Sequence, residues 1–220
     1  ILGAYQEAIQ YYGEKARESL SIFSDRKGEL AGCNCFAPLA LRGVLPSETR
    51  LSTMADLGRA TEINPEFLKG FYSDTGLVLR TAGDSFVQND SLAKDLAEQL
   101  KKRNITLDKP IVIYFDALSL REDPNSVYGL AFNLSERAEL GRNIFDAPEF
   151  TRNFRFRTID EKGIPVEDPN GNRTFYARQD GLSGFYLDRH SGVNSYWDLA
   201  SSDDYGMVVV VSGEATSPKK

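Results

Sequence analysis

The 220-residue sequence is poor in histidine and cysteine, the residue types that most often bind transition metals. It contains one histidine, His190, and two cysteines, Cys33 and Cys35. A single histidine excludes sites that need two, and two cysteines leave a four-ligand structural zinc site incomplete. We therefore expect no metal site. His190 stands beside Ser191-Gly192 in a predicted turn, where a solvated side chain is expected more often than a catalytic one.

The two cysteines are also too close in sequence for an ordinary disulfide, because cysteines at positions i and i+2 rarely reach disulfide geometry without strain. A secreted chain of this size more often carries a disulfide framework, which favours a reducing, cytoplasmic compartment. Against this, Asn104, Asn133 and Asn172 would be glycosylation acceptors in a eukaryotic secretory pathway. We expect Cys33 and Cys35 to pack in a loop against the core, with a reactive thiol as the alternative.

Long apolar runs and an excess of positive charge are absent as well. The longest uncharged apolar stretch, at 207–211 with its flanks, is far shorter than the roughly 20 residues of a membrane-spanning helix. Lys and Arg number 26 against 32 Asp and Glu, a net charge of −6, so the overall field repels polyanions. Membrane spans and nucleic-acid partners are therefore disfavoured. The chain starts at Ile1, as expected of a processed form or of a piece of a longer chain.

What the chain does contain is typical of a globular protein, with 41% hydrophobic and 26% charged residues. An amphipathic helix is predicted at 2–23, where apolar residues recur every three or four positions. Further helices are expected after caps at Ser52 or Thr53 and at Asn64. The stretch 33–46, which holds two prolines among small apolar residues, predicts a loop.

The middle of the chain combines strand and helix patterns. A strand at 76–82, a helix at 92–103 and a strand at 110–115 predict a βαβ-like unit with a right-handed crossover and parallel strands. A further strand at 128–134 and a short helix at 135–145 are expected to follow it.

The C-terminal third, 151–213, changes to a rhythm of turn signals about 8 to 12 residues apart, among them Asn170-Gly171 and Asp180-Gly181. Asn-Gly is a strong signal for a tight hairpin. This spacing predicts an antiparallel β-meander. Its strands are expected at 154–159, 173–178, 184–188, 195–199 and 207–211.

The predicted fold class is α+β, with N-terminal helices and the βαβ-like unit packed against the meander. No Pro- or Ser-rich linker divides the sequence, so we expect a single domain over 1–213 and a polar tail at 214–220. Within that domain, 1–72 should be mainly helical, 76–150 mixed α/β and 151–213 the meander.

One candidate site follows from the βαβ-like unit. Asp84 and Asp116 each come after one of its strands, and the carboxyl ends of parallel strands meet at one rim of a sheet. Paired carboxylates there could hold Mg²⁺ or act as acid and base, with Arg80 contacting an anionic substrate. This predicts a hydrolase or transferase acting on an anionic or phosphorylated small molecule. The alternative is that both aspartates are ordinary turn residues.

A second candidate site lies on the meander. Arg155, Arg157 and Arg173 alternate with aromatic residues, and Tyr176 and Trp197 add aromatic surface nearby, as do the loops around Tyr186 and Tyr196. Exposed aromatic and arginine side chains are enriched at interfaces. This favours a binding module for an unknown protein or an anionic small molecule, and we rank it above the enzyme. The alternative is that neighbouring acidic residues pair with these arginines.

Overall fold

The computed structural model describes residues 1–26, 29–83, 86–136 and 141–212. The α-helices in these ranges are α1 Leu2–Ala8, α2 Glu14–Leu20, α3 Ala37–Arg42, α4 Met54–Ile63 and α5 Asp90–Lys102. The strands are β1 Ser24–Arg26, β2 Glu29–Ala31, β3 Thr49–Leu51, β4 Ser73–Leu79, β5 Ile111–Tyr114, β6 Leu118–Glu122, β7 Leu130–Leu134, β8 Ile144–Asp146, β9 Phe154–Ile159, β10 Pro165–Glu167, β11 Arg173–Ala177, β12 Leu182–Leu187, β13 Val193–Ser195 and β14 Val210–Ser212. Few helices and many strands confirm the α+β class. None of the helices in the described ranges has the length and apolar character needed to cross a bilayer.

Short-range sequence signals correctly predicted the helices α4 and α5. Thr53 caps α4 by accepting a hydrogen bond from the Asp56 amide, and the Asp56 carboxylate accepts one from the Thr53 amide in return. Such a capping box satisfies main-chain donors that the first helical turn leaves without partners. In α5, Leu92, Leu96 and Leu100 are buried on one face, as their spacing predicts.

The N-terminal segment differs from the single helix predicted at 2–23. It forms α1, a 3₁₀ turn at Ile9–Tyr11 and α2, with the break where Tyr12 and Gly13 adopt extended conformations. The Tyr5 hydroxyl donates to the main-chain oxygen of Leu20 at 2.7 Å, so α1 and α2 pack against each other. The predicted apolar stripe is nevertheless the buried face.

The predicted loop at 33–46 contains α3. The side-chain oxygen of Asn34 accepts hydrogen bonds from the amides of Phe36 and Ala37, at 2.9 and 2.8 Å, and so caps the start of this short helix. Pro38 falls in its first turn, where a missing amide hydrogen has no cost. The expectation of a loop was therefore wrong for 37–42.

Eight strands form one sheet in the order β10-β9-β11-β13-β12-β4-β5-β8. All seven residues of β4, near its middle, are buried. One face of the sheet packs against α1 to α3, α5 and the β6–β7 hairpin. The other face carries phenylalanines of β8, β9, β11 and β12 and packs against α4 and Phe150. Strands from the middle of the chain and from its C-terminal third thus share one sheet, while the single-domain division of 1–213 stays a prediction.

The predicted βαβ-like unit was wrong, because β4 and β5 are antiparallel neighbours, with Gly76 opposite Tyr114 and Leu79 opposite Ile111. A strand–helix–strand order does not fix the direction of the second strand. The stretch 103–110 between α5 and β5 spans up to about 25 Å when extended. It can therefore bring the chain from the end of α5 to the end of the sheet where β4 finishes and β5 begins. The helix predicted at 135–145 was also wrong where the structure describes it, since β8 occupies Ile144–Asp146.

The C-terminal third is not a simple meander. The pairs β9–β11 and β12–β13 are antiparallel as predicted, but β11 and β13 are parallel neighbours and β12 pairs with β4. The strand predicted at 195–199 ends at Ser195, and the one predicted at 207–211 becomes β14, which pairs with β3 outside the large sheet. Turn spacing located the ends of strands without specifying their neighbours.

Candidate functional site

A cavity of about 320 Å³ opens where β4, β12 and β13 meet the segment 197–203. This volume is at the lower end of the roughly 300–1,000 Å³ range of small-molecule sites. We call it the tyrosine cavity. Its aromatic lining residues are Tyr72, Tyr176, Tyr186 and Trp197, and its charged or titratable lining residues are Asp74, Asp188, Asp198, Asp203, Arg189 and His190.

Asp74 enters the cavity wall from the beginning of β4. Opposite it in β12 lies Tyr186, and the register between the two strands shifts between Phe185 and Tyr186. A Cβ atom on Gly184 would lie 3.3 Å from Oδ1 of Asp74, so the missing side chain at Gly184 leaves room for the carboxyl group. The fold therefore places the Asp74 carboxyl group in the cavity wall between Gly184 and Tyr186.

The Asp74 carboxyl group is nearly enclosed and incompletely bonded. Its residue is only 8% exposed, and burial raises its pKa to about 7. The Cys35 thiol lies 4.0 Å from Oδ1, while Oδ2 is buried and has no hydrogen-bond partner among the described residues. A buried polar atom without a partner is rare in folded proteins and calls for a specific explanation.

The two cysteines form the floor behind Asp74. The Asp74 amide donates to the Cys33 sulfur at 3.4 Å, and both thiols are fully buried and free. Burial, and next the nearby Asp74 charge, raise the pKa of both thiols well above their ordinary value. Their burial in a segment against the core is as predicted, and it makes the reactive-thiol alternative unfavourable.

Tyr72 and Tyr186 form an aromatic corner beside Asp74. Their rings meet edge to face with centroids 5.7 Å apart. Burial, and next the Asp74 charge, raise the pKa of both phenols, so the hydroxyl groups stay neutral near pH 7. The Tyr72 hydroxyl donates to the main-chain oxygen of Cys33 at 2.9 Å and accepts from the Asp203 amide at 3.1 Å, which fixes this ring.

A tight turn after β12 shapes the rim. Asp188 accepts hydrogen bonds from the amides of His190 and Gly192, at 2.8 and 2.9 Å. Ser191 has a φ of +62° in this turn. His190 is exposed, as the sequence predicts for a turn histidine, yet it also lines the cavity. The Arg189 guanidinium stacks over the Tyr205 ring, 5.3 Å from its centroid.

The structure brings only two of the predicted ligand-binding residues into the tyrosine cavity, namely Tyr176 and Trp197, which are 44% and 55% exposed. Arg155, Arg157 and Arg173 lie outside its lining. Arg155 donates to the main-chain oxygen of Gly171 at 2.7 Å, Arg157 pairs with Asp168 at 3.1 Å, and Arg173 lies over the Phe156 ring at 4.6 Å. Arg157 thus pairs with a neighbouring acidic residue, the alternative left open, whereas Arg155 and Arg173 contact a main-chain oxygen and an aromatic ring.

The rim predicted for Asp84, Asp116 and Arg80 is not formed as expected. Since β4 and β5 are antiparallel, Arg80 follows the end of β4 beside the start of β5, whereas Asp116 follows the opposite end. Asp84 lies outside the described residues. Burial raises the pKa of Asp116, with Arg42 and Arg50 opposing the effect. No group of three potential metal ligands is found in the described part of the chain.

Arg80 instead acts as a buried link between strands. It is 4% exposed and donates to the main-chain oxygen of Phe150 at 2.6 Å, to the Ser183 hydroxyl at 3.0 Å and to the main-chain oxygen of Ser195 at 3.1 Å. These contacts connect β4 with β12 and β13. The alternation of Arg80 with apolar residues, from which an anion contact was predicted, reflects its insertion into the core.

Sequence reasoning missed Asp74 and Tyr72. The available signal was a Ser-Asp-Thr run directly before the apolar residues predicted as a strand, which suggests a cap or turn at least as strongly as a buried site. Comparison with protein-family models, with curated proteins and with solved structures finds no match to this chain. Its function therefore has to be inferred from the geometry of the site.

Proposed function

We propose that this chain is a binding module that takes a small molecule into the tyrosine cavity. The observation that carries the proposal is the combination of an enclosed concave site, four aromatic side chains and a nearly buried carboxyl group at one place. Ligand sites combine apolar and aromatic walls with a few polar groups that fix orientation. The proposal keeps the binding function expected from the sequence and moves it from the arginine strands to Tyr176, Trp197 and their neighbours.

The aromatic residues supply contact area for such a ligand. Tyr72 and Tyr186 form the inner corner, and Tyr176 and Trp197 stand at the mouth. Aromatic side chains lose little conformational entropy when they contact a ligand and offer large flat faces. A ligand with an apolar or ring-shaped face can therefore contact several of them at once.

The charges of the lining argue against the anionic ligand expected from the sequence. Asp74, Asp188, Asp198 and Asp203 contribute carboxyl groups, whereas Arg189 is the one permanently charged cation among the described residues of the lining. Like charges placed together in a site of reduced polarity repel strongly. A neutral or cationic ligand is consistent with this lining.

Trp197 makes the proposal directly testable, because it is the one tryptophan of the sequence and lies at the cavity mouth. Tryptophan fluorescence would be titrated with a panel of neutral sugars, amino acids, small carboxylates and alkylammonium ions. We expect a saturable change with at least one class, weakened about tenfold or more by Tyr186→Ala, which removes a wall of the cavity.

Tyr11→Ala is the matched control, because Tyr11 is 88% exposed and lies outside the cavity lining. The control should bind as the original chain does, and thermal melts should show that both variants are folded. Absence of a saturable signal throughout the panel, or equal weakening by both substitutions, would contradict binding in the cavity.

A further inference from the structure

We infer that the ligand of the tyrosine cavity is a small organic ammonium ion, whose charge is met by the Asp74 carboxylate and whose carbon atoms contact the rings of Tyr72 and Tyr186. This inference rests on the proposed function and narrows it to one class of ligand. It is carried by the bonding of Asp74, by the arrangement of the rings and by the charges around them.

Asp74 has bonding capacity that the described residues leave unfilled. Oδ2 is buried without a partner among the described residues, and the group nearest to Oδ1 is a thiol, which is a weak donor. The lining cation Arg189 is stacked on Tyr205. Buried carboxylates in proteins are paired with cations or strong donors, and a cation in the cavity that Asp74 lines would supply the opposite charge that it lacks.

The position of the aromatic rings beside Asp74 also favours a cation. Tyr72 and Tyr186 meet at an interplanar angle of 62°, so they form two walls of a corner beside Asp74. A cation within about 6 Å of an aromatic centroid is attracted by the negative face of the ring, and several such rings together recognise alkylated ammonium groups. A carboxylate beside the corner adds an opposite charge to that attraction.

The remaining carboxyl groups of the lining favour a cation as well. Asp188 and Asp203 accept hydrogen bonds from main-chain amides, and Asp198 accepts one from the Tyr128 hydroxyl at 2.7 Å. These donors are neutral and leave the carboxylates charged, although Arg173, which interacts with the Asp188 charge, and Arg189 offset part of that charge. The cavity therefore has a negative potential that favours a cation and raises its local concentration.

Binding of such a cation should release a proton. Burial raises the pKa of Asp74 to about 7, so an appreciable fraction of the free protein carries a neutral Asp74 near neutrality. An ammonium ion requires the carboxylate form, and the displaced proton passes to solvent. Affinity should therefore rise about tenfold per pH unit below pH 7 and level off above it. The titratable or charged groups that contact Asp74 or share its cavity are Cys33, Cys35, Tyr72, Tyr186, Asp188, Arg189, His190, Asp198 and Asp203.

The test compares ammonium ions with neutral molecules of the same shape. Choline and 3,3-dimethylbutan-1-ol form one matched pair, and butylammonium with butan-1-ol forms another. Dissociation constants would be measured by Trp197 fluorescence and by calorimetry across neutral pH at constant ionic strength. We expect each ammonium ion to bind at least about tenfold more tightly than its neutral counterpart at pH 8, with the pH dependence described above.

Asp74→Asn should weaken the charge preference and abolish the pH dependence, whereas His190→Gln, which removes the imidazole of the lining, should leave the pH dependence in place. If Asp74→Asn does not fold, the comparison of matched pairs on the unaltered chain still decides. Equal binding of charged and neutral partners, or no binding by any ammonium probe, overturns the inference. In that case the proposed function survives if a neutral member of the panel binds, and fails if none does.

Discussion

Gly184 and Cys35 approach each other so closely that a Cβ atom on Gly184 would lie 2.8 Å from the Cys35 sulfur. The same atom would lie 3.3 Å from Oδ1 of Asp74. Both neighbours are buried, and a contact of 2.8 Å is too short for a Cβ atom, so the packing would have to shift. The absence of a side chain at Gly184 is thus a condition for the arrangement of the cavity wall.

Gly184→Ala should destabilise the fold by about 1–3 kcal/mol, the usual cost of overpacking a buried site. The free energy of unfolding would be measured by urea denaturation. Gly3→Ala in α1 is the control, since a Cβ atom there meets nothing within 4 Å and alanine favours helix. A Gly184→Ala variant as stable as this control would contradict the close contact.

Arg80→Met should lower the free energy of unfolding by about 2–4 kcal/mol, because it leaves buried acceptors on Phe150, Ser183 and Ser195 without their donor. Arg59→Met is the comparison, since the Arg59 side chain is 72% exposed and its pair with Asp56 should contribute less than about 1 kcal/mol. Urea denaturation of both variants checks this. Similar losses in the two variants would argue against a structural role for Arg80.

The thiols of Cys33 and Cys35 should be unreactive toward a disulfide reagent in the folded chain. Burial blocks access and raises their pKa, and each unit of increase lowers the thiolate fraction about tenfold at a given pH below the pKa. Both should react at once in denaturant. Rapid modification of either thiol under native conditions, followed by mass spectrometry, would show that the Asp74 region opens readily.

Local features of this fold could be predicted from sequence, and long-range ones could not. A cap at Ser52 or Thr53 could be predicted because capping interactions lie within a few residues, as that of Thr53 with Asp56 does. The leucines of α5 were predicted to share a face for the same reason. By contrast, Phe175 and Val193 pair in parallel strands in a sheet where β12 pairs with β4. Which strands become neighbours depends on residues far apart in the sequence, so a short stretch of sequence does not predict it.

The candidate site likewise combines residues that could be predicted from the sequence with residues that could not. Tyr176 and Trp197 were predicted as ligand-binding residues from their exposed aromatic character, and they do line the tyrosine cavity. Asp74 was missed because its environment is assembled from β4, β12 and the Cys33 segment, which are far apart in sequence. Burial of a carboxyl group is a tertiary property, and a lone Asp before an apolar run resembles an ordinary cap.

The carboxyl group of Asp74 should make the folded state less stable as pH rises from about 4 to 7. Burial raises its pKa to about 7, whereas an aspartate in an unfolded chain titrates near about 3.9. In this interval the folded state holds a proton that the unfolded state has lost, so the free energy of unfolding falls with pH. The contribution of Asp74 alone is on the order of 4 kcal/mol, and it is complete above pH 7.

Urea denaturation of Asp74→Asn and of the original chain at several pH values would isolate this contribution. The variant should gain stability relative to the original chain between about pH 4 and 7, and the difference should then stay constant. Asp56→Asn should change the pH dependence of stability in the opposite direction. Burial raises the pKa of Asp56, but Arg50 and Thr53 outweigh burial and hold this pKa below its usual range. The stabilisation by Asp56 is therefore present above about pH 4 and is lost on acidification. A pH-independent difference for Asp74→Asn would mean that Asp74 titrates alike in the folded and unfolded states, and would contradict the proton release predicted for cation binding.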